Sequence, residues 1–160
     1  MIISYKILTK IIIASLLLLS ASCKTLFKDQ PLDEIEQSLF QLVNAYRTSK
    51  GLNSLKWDET VARECRAHSQ TMADDPTLFG HDGFELRIEN IGRVLEVSQA
   101  GENIAFNQGY QDPAQITCDT WIDSASHRSN LEGDFDLTGV GVKKSSDDIY
   151  YFTQIFIKLR

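Results

Sequence analysis

Apolar residues recur at helical spacing in three parts of the chain. Ile35 is followed by apolar residues 4, 7, 8 and 11 positions later, which form one face of a helix. This pattern predicts a helix over 32–49, with Gly51 as its C-terminal stop. Asp58 is typical of the residue that caps the start of a helix. The apolar face of that second helix consists of Val61, Cys65, His68 and Met72.

Two more helices are expected further along the chain. A short one is predicted near 84–90, within a stretch rich in turn residues. Asp112 followed by Pro113 favours the start of another, because Asp caps helices and Pro is preorganised for their first turn. The apolar stripe of this helix contains Ala114, Cys118, Trp121 and Ile122.

The second half of the chain carries the strand signals. Strands are predicted over 102–106, 137–143 and 149–158, with a shorter one at 94–97. The segment 149–158 is rich in β-branched and aromatic residues on both faces, which indicates a strand covered on both sides. Helices early and strands late predict an α+β fold, with helices on either side of an antiparallel sheet.

Composition and charge exclude several classes of protein. The 160 residues are 42% hydrophobic and 24% charged, as in ordinary globular domains, and suit a single domain. The net charge is −6, and it becomes −8 if the first 22 residues, which include Lys6 and Lys10 but no acidic residue, are removed. An acidic chain without a Lys/Arg run is not expected to bind nucleic acid. Three cysteines are too few for a scaffold built on disulfides.

The first 22 residues have the pattern of a secretory signal peptide. Two lysines precede an apolar run over 11–19, which is about half the roughly 20 residues that a membrane-spanning helix needs. The small residues at 20–22 and the following Cys23 resemble a bacterial lipobox, although Ser20 stands where Leu is usual. The sequence therefore predicts a lipid on Cys23, a tether over 23–31 and a domain over 32–160, anchored to the membrane of the cell envelope or the cell surface. A plainly secreted protein with an incidental cysteine is the alternative.

The three histidines are the first candidates for chemistry. His68 lies on an apolar helix face, so a buried ring with a satisfied hydrogen bond is expected there. His81 and His127 lie at the ends of predicted elements, where functional sites are commonly built. Glu102 lies in an apolar strand and needs a partner if it is buried, which two imidazoles could supply. Two histidines and one carboxylate also suffice to hold Zn²⁺ with a water. Taken alone, His81 and His127 are each more typical of structural residues than of functional ones.

Cys65 and Cys118 lie on the apolar faces of two predicted helices. Inert buried thiols are one interpretation. A disulfide between them is the other, since an exported protein meets an oxidising environment. The sequence leaves both open.

Ordered motifs over residues 39–156 resemble the CAP superfamily of cysteine-rich secretory proteins, antigen 5 and pathogenesis-related proteins. The chain is most similar to the bacterial SCP-like extracellular branch. The motifs are VNAYR at 43–47, LKWD at 55–58, HDG at 81–83 with Arg87, GENIA at 101–105, WIDSASHRSN at 121–130, GVGV at 139–142 and FTQIF at 152–156.

The resemblance implies a three-layer α-β-α sandwich with a cleft lined by two histidines and acidic residues. Carried over to this chain, the cleft residues are His81, Glu102 and His127, and some members of the family bind a divalent metal there. A second cleft Glu found outside the bacterial branch is Ser124 here, so the acidic set is incomplete. The fold does not fix the function.

The resulting expectation is a lipid-anchored envelope protein whose cleft binds a ligand, such as a small amphiphile or an envelope component, or a divalent metal such as zinc. Whether it is an enzyme stays open. One alternative is a metal-assisted hydrolase, in which His81 and His127 hold the metal and Glu102 ligates it or acts as a base. Another is a surface interaction module with an idle cleft. Intervals of 21 and 25 residues separate the three side chains, so only folding can bring them together.

Overall fold

The structure is a computed structural model, and it describes residues 30–160. The predicted signal peptide, the lipidation site Cys23 and most of the tether lie outside the described residues. No helix among the described residues is long and apolar enough to cross a membrane.

Five helices and four strands make up the described domain. The helices are α1 (Leu32–Ser49), α2 (Glu59–Asp74), α3 (Phe84–Gly92), α4 (Pro113–Asp123) and α5 (Ala125–Leu131), with a 3₁₀ turn at Pro76–Leu78. The strands are β1 (Lys56–Trp57), β2 (Val97–Asn107), β3 (Leu137–Lys144) and β4 (Tyr150–Leu159). Asp58 and Asp112 cap α2 and α4 as the sequence predicts, by accepting hydrogen bonds from Val61 N and Gln115 N.

The strands form one sheet in the order β1-β3-β4-β2. The pairs β3–β4 and β2–β4 are antiparallel, whereas β1 runs parallel to β3. The predicted three-layer α+β architecture is confirmed, but the sheet is mixed rather than purely antiparallel. The short β1 is the reason, because it enters the sheet from the link between two helices rather than from a hairpin.

Two apolar clusters lie on opposite faces of the sheet. One joins α1 and α4 to residues such as Val140 and Phe152, and the other joins α2 and α3 to Ile155 and Ile157. Because neighbouring strand residues point to opposite faces, β4 is buried on both sides, as its sequence predicts. A Cβ on Gly139 or Gly141 would overlap the backbone of α2, so these glycines allow the helix to lie directly on β3.

The two long open edges of the sheet are covered by side chains. On β3, whose pairing with β1 ends at Thr138, Val142 N donates to the buried carboxylate of Glu36. On β2, Ile104 O accepts a hydrogen bond from Trp121 Nε1, and Glu102 O accepts one from Asn130 Nδ2. Edge strands present unpaired backbone groups, and these three groups find partners within the domain.

Two elements differ from the sequence predictions. Segment 94–97 is not a separate strand, because β2 begins at Val97 and runs continuously to Asn107. The helix α5, which carries His127, was not predicted. Its sequence ASHRSNL buries only Leu131, so it has no apolar periodicity to reveal it.

Cys65 and Cys118 are both free and buried. Cys65 belongs to the cluster under α2, and Cys118 belongs to the cluster under α4, on the opposite face of the sheet. The disulfide that the sequence left open is therefore not formed. The structure instead contains two buried free thiols, which is the other interpretation that the sequence allowed. Burial raises the pKa of the Cys118 thiol to about 12 and raises that of Cys65 well above its ordinary value, so both are unreactive.

Candidate functional site

Glu102 begins the strand predicted over 102–106, but it lies near the middle of the longer β2, where it is paired with Ile155 of β4. Paired residues of an antiparallel sheet share a face, so the Glu102 side chain points toward α2 and α3. Only 2% of this side chain is exposed. A carboxylate this deeply buried must be paired, because an isolated buried charge is very costly.

Arg87 is the principal partner of Glu102. Its Nε and Nη2 lie 2.9 and 2.8 Å from the two carboxylate oxygens, which is the two-point geometry that a planar guanidinium makes best. Arg87 Nη1 also donates to the backbone oxygen of Asp82 at 2.9 Å. Arg87 therefore ties α3 and the loop before it to β2. In the sequence, Arg87 is recognised only as part of a motif. The partners predicted there for the Glu102 carboxylate are two imidazoles.

His81 completes the contacts of the carboxylate. Its Nδ1 lies 2.8 Å from Glu102 Oε1, and 55% of its side chain is exposed. A carboxylate only accepts hydrogen bonds, so Nδ1 must carry the proton. In the neutral ring, Nε2 is then left as an acceptor. The buried carboxylate thus fixes both the orientation and the tautomer of an exposed imidazole.

His68 supports the loop that presents His81. It is buried, and its Nε2 lies 2.9 Å from the backbone oxygen of Gly80, the residue just before His81. Burial lowers the pKa of His68, and the positive charge of Arg87 lowers it further. The expected role of His68, a buried ring with a satisfied hydrogen bond, is confirmed.

His127 lies on α5, which packs against the opposite face of β2. The backbone oxygen of His127 accepts a hydrogen bond from Asn103 Nδ2, and the side chain of Asn103 points away from that of Glu102. Asn130 donates to both Asn103 Oδ1 and Glu102 O. These two asparagines link α5 to the edge strand, and the sequence named them only within motifs.

The His127 ring is half-buried beside Trp121, with ring centroids 6.4 Å apart. Burial lowers the pKa of His127, and the charge of a protonated His81 lowers it further. Among the described residues, none hydrogen-bonds to His127 Nδ1.

The three predicted site residues are therefore brought together unequally. His81 and Glu102 are in direct contact, whereas His127 approaches from the other side of the strand. Within residues 30–160, no three His, Cys, Asp or Glu side chains are arranged to hold a metal ion. Because Arg87 and His81 already occupy the carboxylate, the donor set as it stands does not fit a three-ligand metal site. A metal held by His81, Glu102 and His127 stays a prediction, and it would require the carboxylate to leave Arg87.

An exposed aromatic surface borders His81. Phe79, two residues earlier, packs edge-on against Phe106 of β2 with centroids 5.1 Å apart. The exposed fractions are 38% for Phe79 and 58% for Phe106, and both rings contact the buried Tyr151. Large apolar groups in contact with one another and with water commonly mark a binding surface. The sequence does not reveal this surface, because the two rings are 27 positions apart in the chain.

Comparison with known proteins identifies the family. The profile of the cysteine-rich secretory protein family, CAP, matches residues 40–156. The uncharacterized protein YkwD of Bacillus subtilis is 34% identical over 129 residues, which cover 76% of this chain and 46% of that protein. The chain thus spans just under half the length of this relative.

Solved structures agree with the fold. An extracellular protein of Bacillus anthracis containing an SCP domain is 32% identical, with a TM-score of 0.62 over 79% of this chain and 41% of that one. An outer surface protein of Borrelia burgdorferi is 20% identical and shares the fold, with a TM-score of 0.71 over 84% of this chain and all of that one. The motifs, the architecture and these matches agree, and the chain belongs to the CAP family of cysteine-rich secretory proteins, in its bacterial SCP-like branch.

Proposed function

We propose that this CAP domain is a binding module of the cell envelope that holds a small amphiphile at the edge of β2. The observation that carries the proposal is the contact between His81 and Glu102. A buried carboxylate, itself fixed by Arg87, orients an imidazole whose other nitrogen faces outward. Such preorganisation is typical of a site that contacts a ligand, since an idle surface histidine needs no buried support.

The surroundings of His81 favour an amphiphilic ligand. His81 and His127 offer hydrogen-bonding nitrogens for a polar head group. The rings of Phe79 and Phe106 offer an apolar surface beside them for a hydrocarbon or aromatic portion. A few placed polar groups next to apolar walls are the usual composition of a small-molecule site.

The hydrolase hypothesis is the second candidate, and one contact favours it. A histidine that donates Nδ1–H to a buried carboxylate has Nε2 available as a proton acceptor, as in the acid–base pairs of many hydrolases. In this scheme His81 would take a proton from the water that attacks the carbonyl carbon of a bound ester or amide. It would then give that proton to the leaving alcohol or amine as the C–O or C–N bond breaks. This scheme needs no metal, and the carboxylate that would ligate one is already engaged by Arg87.

The proposed location is outside the cytoplasm, with the domain tethered through a lipid on Cys23. The relatives support this location, since one is described as an extracellular protein and another as an outer surface protein. The lipid would keep the cleft within reach of amphiphiles at a membrane or cell surface.

Titration with the fluorescent amphiphile cis-parinaric acid tests the proposal. We expect saturable binding by the wild-type domain, and binding weakened by about tenfold in His81→Ala and in Phe79→Ala. Leu86→Ala is the matched control, because Leu86 is 58% exposed on α3 but belongs neither to the His81–Glu102 contact nor to the aromatic surface of Phe79 and Phe106. Equal binding by all four proteins would refute the proposed site. Turnover of an acyl ester that His81→Ala abolishes would favour the hydrolase instead.

A further inference from the structure

Exposed apolar side chains are concentrated at one end of the sheet. Among the described residues, six large apolar side chains are exposed, and four of them are Leu78, Phe79, Phe106 and Tyr110. Phe79 packs edge-on against Phe106, and Phe106 and Tyr110 line the same cavity. We call these four residues the apolar end. Single exposed apolar residues are ordinary, but a group of neighbours commonly marks an interaction surface.

The apolar end carries no charge of its own. Among the described residues that line the cavity beside Phe106, none is Asp, Glu, Lys, Arg or His. Two exposed charged neighbours are acidic, since Asp75 caps the 3₁₀ turn that carries Leu78, and Asp147 O accepts a hydrogen bond from Gln108. Acidic residues do not attract anionic head groups, so a partner of this surface must be recognised by apolar contact.

The described domain begins at this same end of the sheet. Glu36, near the start of α1, accepts a hydrogen bond from Val142 N near the end of β3. Arg47, near the end of α1, donates to Gly133 O, before β3 begins. Helix α1 therefore runs antiparallel to β3 and starts where β3 ends. Phe106 lies at this end too, because Val142 and Phe106 pair with neighbouring residues of β4.

The chain before α1 can hold this end close to a membrane. Pro31 lies eight residues after Cys23, and a chain of this length spans at most about 29 Å. Strand β2 is two strand spacings, or about 10 Å, from β3, whereas the opposite end of the sheet lies about 30 Å away along β4. A lipid on Cys23 would therefore favour contact between the membrane and the apolar end.

We propose that the apolar end docks on the lipid bilayer, with Phe79, Phe106 and Tyr110 between the head groups and the acyl chains. This inference rests on the proposed function, and it names the membrane as the source of the amphiphile. Aromatic side chains favour this interface, where the ring is in an apolar layer and a tyrosine hydroxyl stays hydrated. His81 follows Phe79 by two residues, so an amphiphile would reach it from the bilayer surface.

A second protein fits this surface less well. Each partner in a stable protein–protein interface buries roughly 800 Å², which four partly exposed side chains do not supply. A small apolar surface suffices for a tethered domain, because the anchor raises the local concentration of lipid.

Quenching of tryptophan emission by brominated lipid tests the proposal. The full chain, expressed with its signal, is reconstituted into phosphatidylcholine vesicles whose acyl chains carry bromine near the head group. In Tyr110→Trp, the emission added to that of Trp57 and Trp121 should be roughly halved by the brominated lipid. Val94→Trp is the matched control, because Val94 is 66% exposed just before the start of β2, at the opposite end of the sheet, and its added emission should change little.

Three results would overturn the proposal. One is quenching in Tyr110→Trp that is absent or no greater than in Val94→Trp. Another is quenching that high salt abolishes, which would make the contact electrostatic rather than apolar. The third is an emission shift that depends on protein concentration and not on lipid, which would assign the surface to a second copy of the chain.

A titration without vesicles separates this proposal from the proposed function. Tyr110→Trp leaves His81, Phe79 and Phe106 in place, so it should bind cis-parinaric acid as the wild type does. Binding without quenching by brominated lipid would refute the docking alone. Quenching without binding of cis-parinaric acid would refute the proposed function alone.

Discussion

Arg87 and Glu102 form a two-point ion pair that is almost wholly buried, with 10% and 2% of the two side chains exposed. The pair joins helix α3 to strand β2, and its carboxylate also holds His81 in place. Stability and the presentation of a candidate site residue therefore depend on the same three side chains. Variants of this pair should change both properties together.

Replacing Arg87 with Met should destabilise the domain by about 3–5 kcal/mol, because it leaves a buried carboxylate without its main partner. Urea unfolding of the wild type and the variant measures the difference. The control is Arg93→Met, which removes an exposed i,i+4 pair with Glu89 and should cost no more than about 0.5 kcal/mol. Adding Glu102→Gln to Arg87→Met should recover part of the loss, since the uncompensated charge is then gone. A double variant whose loss equals the sum of the two single losses would show that the two residues are not coupled.

The sequence predicted the contact between His81 and Glu102 but not the other partner of the carboxylate. His81, Glu102 and His127 could be named as candidates because they lie in motifs that resemble those of a known family. That Arg87, rather than His127, is the close partner of the carboxylate could not be found. The Glu102 side chain points toward α3 or toward α5 according to the face of β2 on which it lies. The register between β2 and β4 fixes that face, and it exists only in the folded sheet.

The prediction of helices from the sequence has a similar limit. The amphipathic helices α1 and α2 could be predicted because their apolar residues repeat at helical spacing. Helix α5 could not, because it is held by polar contacts such as Asn103 to His127 O rather than by an apolar face. The sequence could not show whether Cys65 and Cys118 are free thiols or a disulfide, because only the fold places them on opposite faces of the sheet.

Replacing Glu36 with Ala should destabilise the domain by about 3 kcal/mol or more. The change removes the acceptor of Val142 N at the open edge of β3 and also the partner of Arg66. Glu59→Ala is the matched control, because Glu59 contacts the same arginine from an exposed position and should cost less than about 1 kcal/mol. Thermal or urea unfolding compares the two. Similar losses for both variants would mean that covering the edge contributes little.

Acidification should destabilise the domain through His68. Its pKa is lowered from 6.5 by burial and by the charge of Arg87, so the unfolded chain binds more protons than the native chain as pH falls. The stability is therefore fully present above about pH 6.5, and it is lost as pH falls from there through the folded pKa of the ring.

In His68→Gln, the free energy of unfolding should fall less between pH 7 and pH 5 than it does in the wild type. The amide can still donate to Gly80 O but does not titrate. A smaller slope should remain, because the pKa of His127 is also lowered. Urea unfolding across this range measures the slope, and identical slopes in both proteins would exclude His68 as a source of the acid sensitivity.

Cys65 and Cys118 should resist alkylation in the native domain. Both thiols are buried, and the raised pKa of each keeps the reactive thiolate scarce near neutral pH. Mass spectrometry after treatment of residues 30–160 with iodoacetamide should find no adduct until denaturant is added, and two adducts afterwards. The same two adducts should appear without reductant, since no disulfide is expected. Recovery of a Cys65–Cys118 disulfide would contradict the structure.

The proposed lipid anchor on Cys23 predicts that the full chain, expressed with its signal in a bacterial host, partitions into detergent on phase separation. Each buried CH₂ of an acyl chain contributes about 0.8 kcal/mol of membrane affinity, so several chains on one residue give a stable anchor. Cys23→Ser should move the protein to the aqueous phase without changing its thermal unfolding, because position 23 precedes the predicted domain over 32–160. Ser22→Ala is the matched control, since it alters a neighbouring position but leaves the thiol that the lipid requires. Detergent partitioning that survives Cys23→Ser would mean that another part of the chain binds the membrane, and the protein would then not be a lipoprotein of this kind.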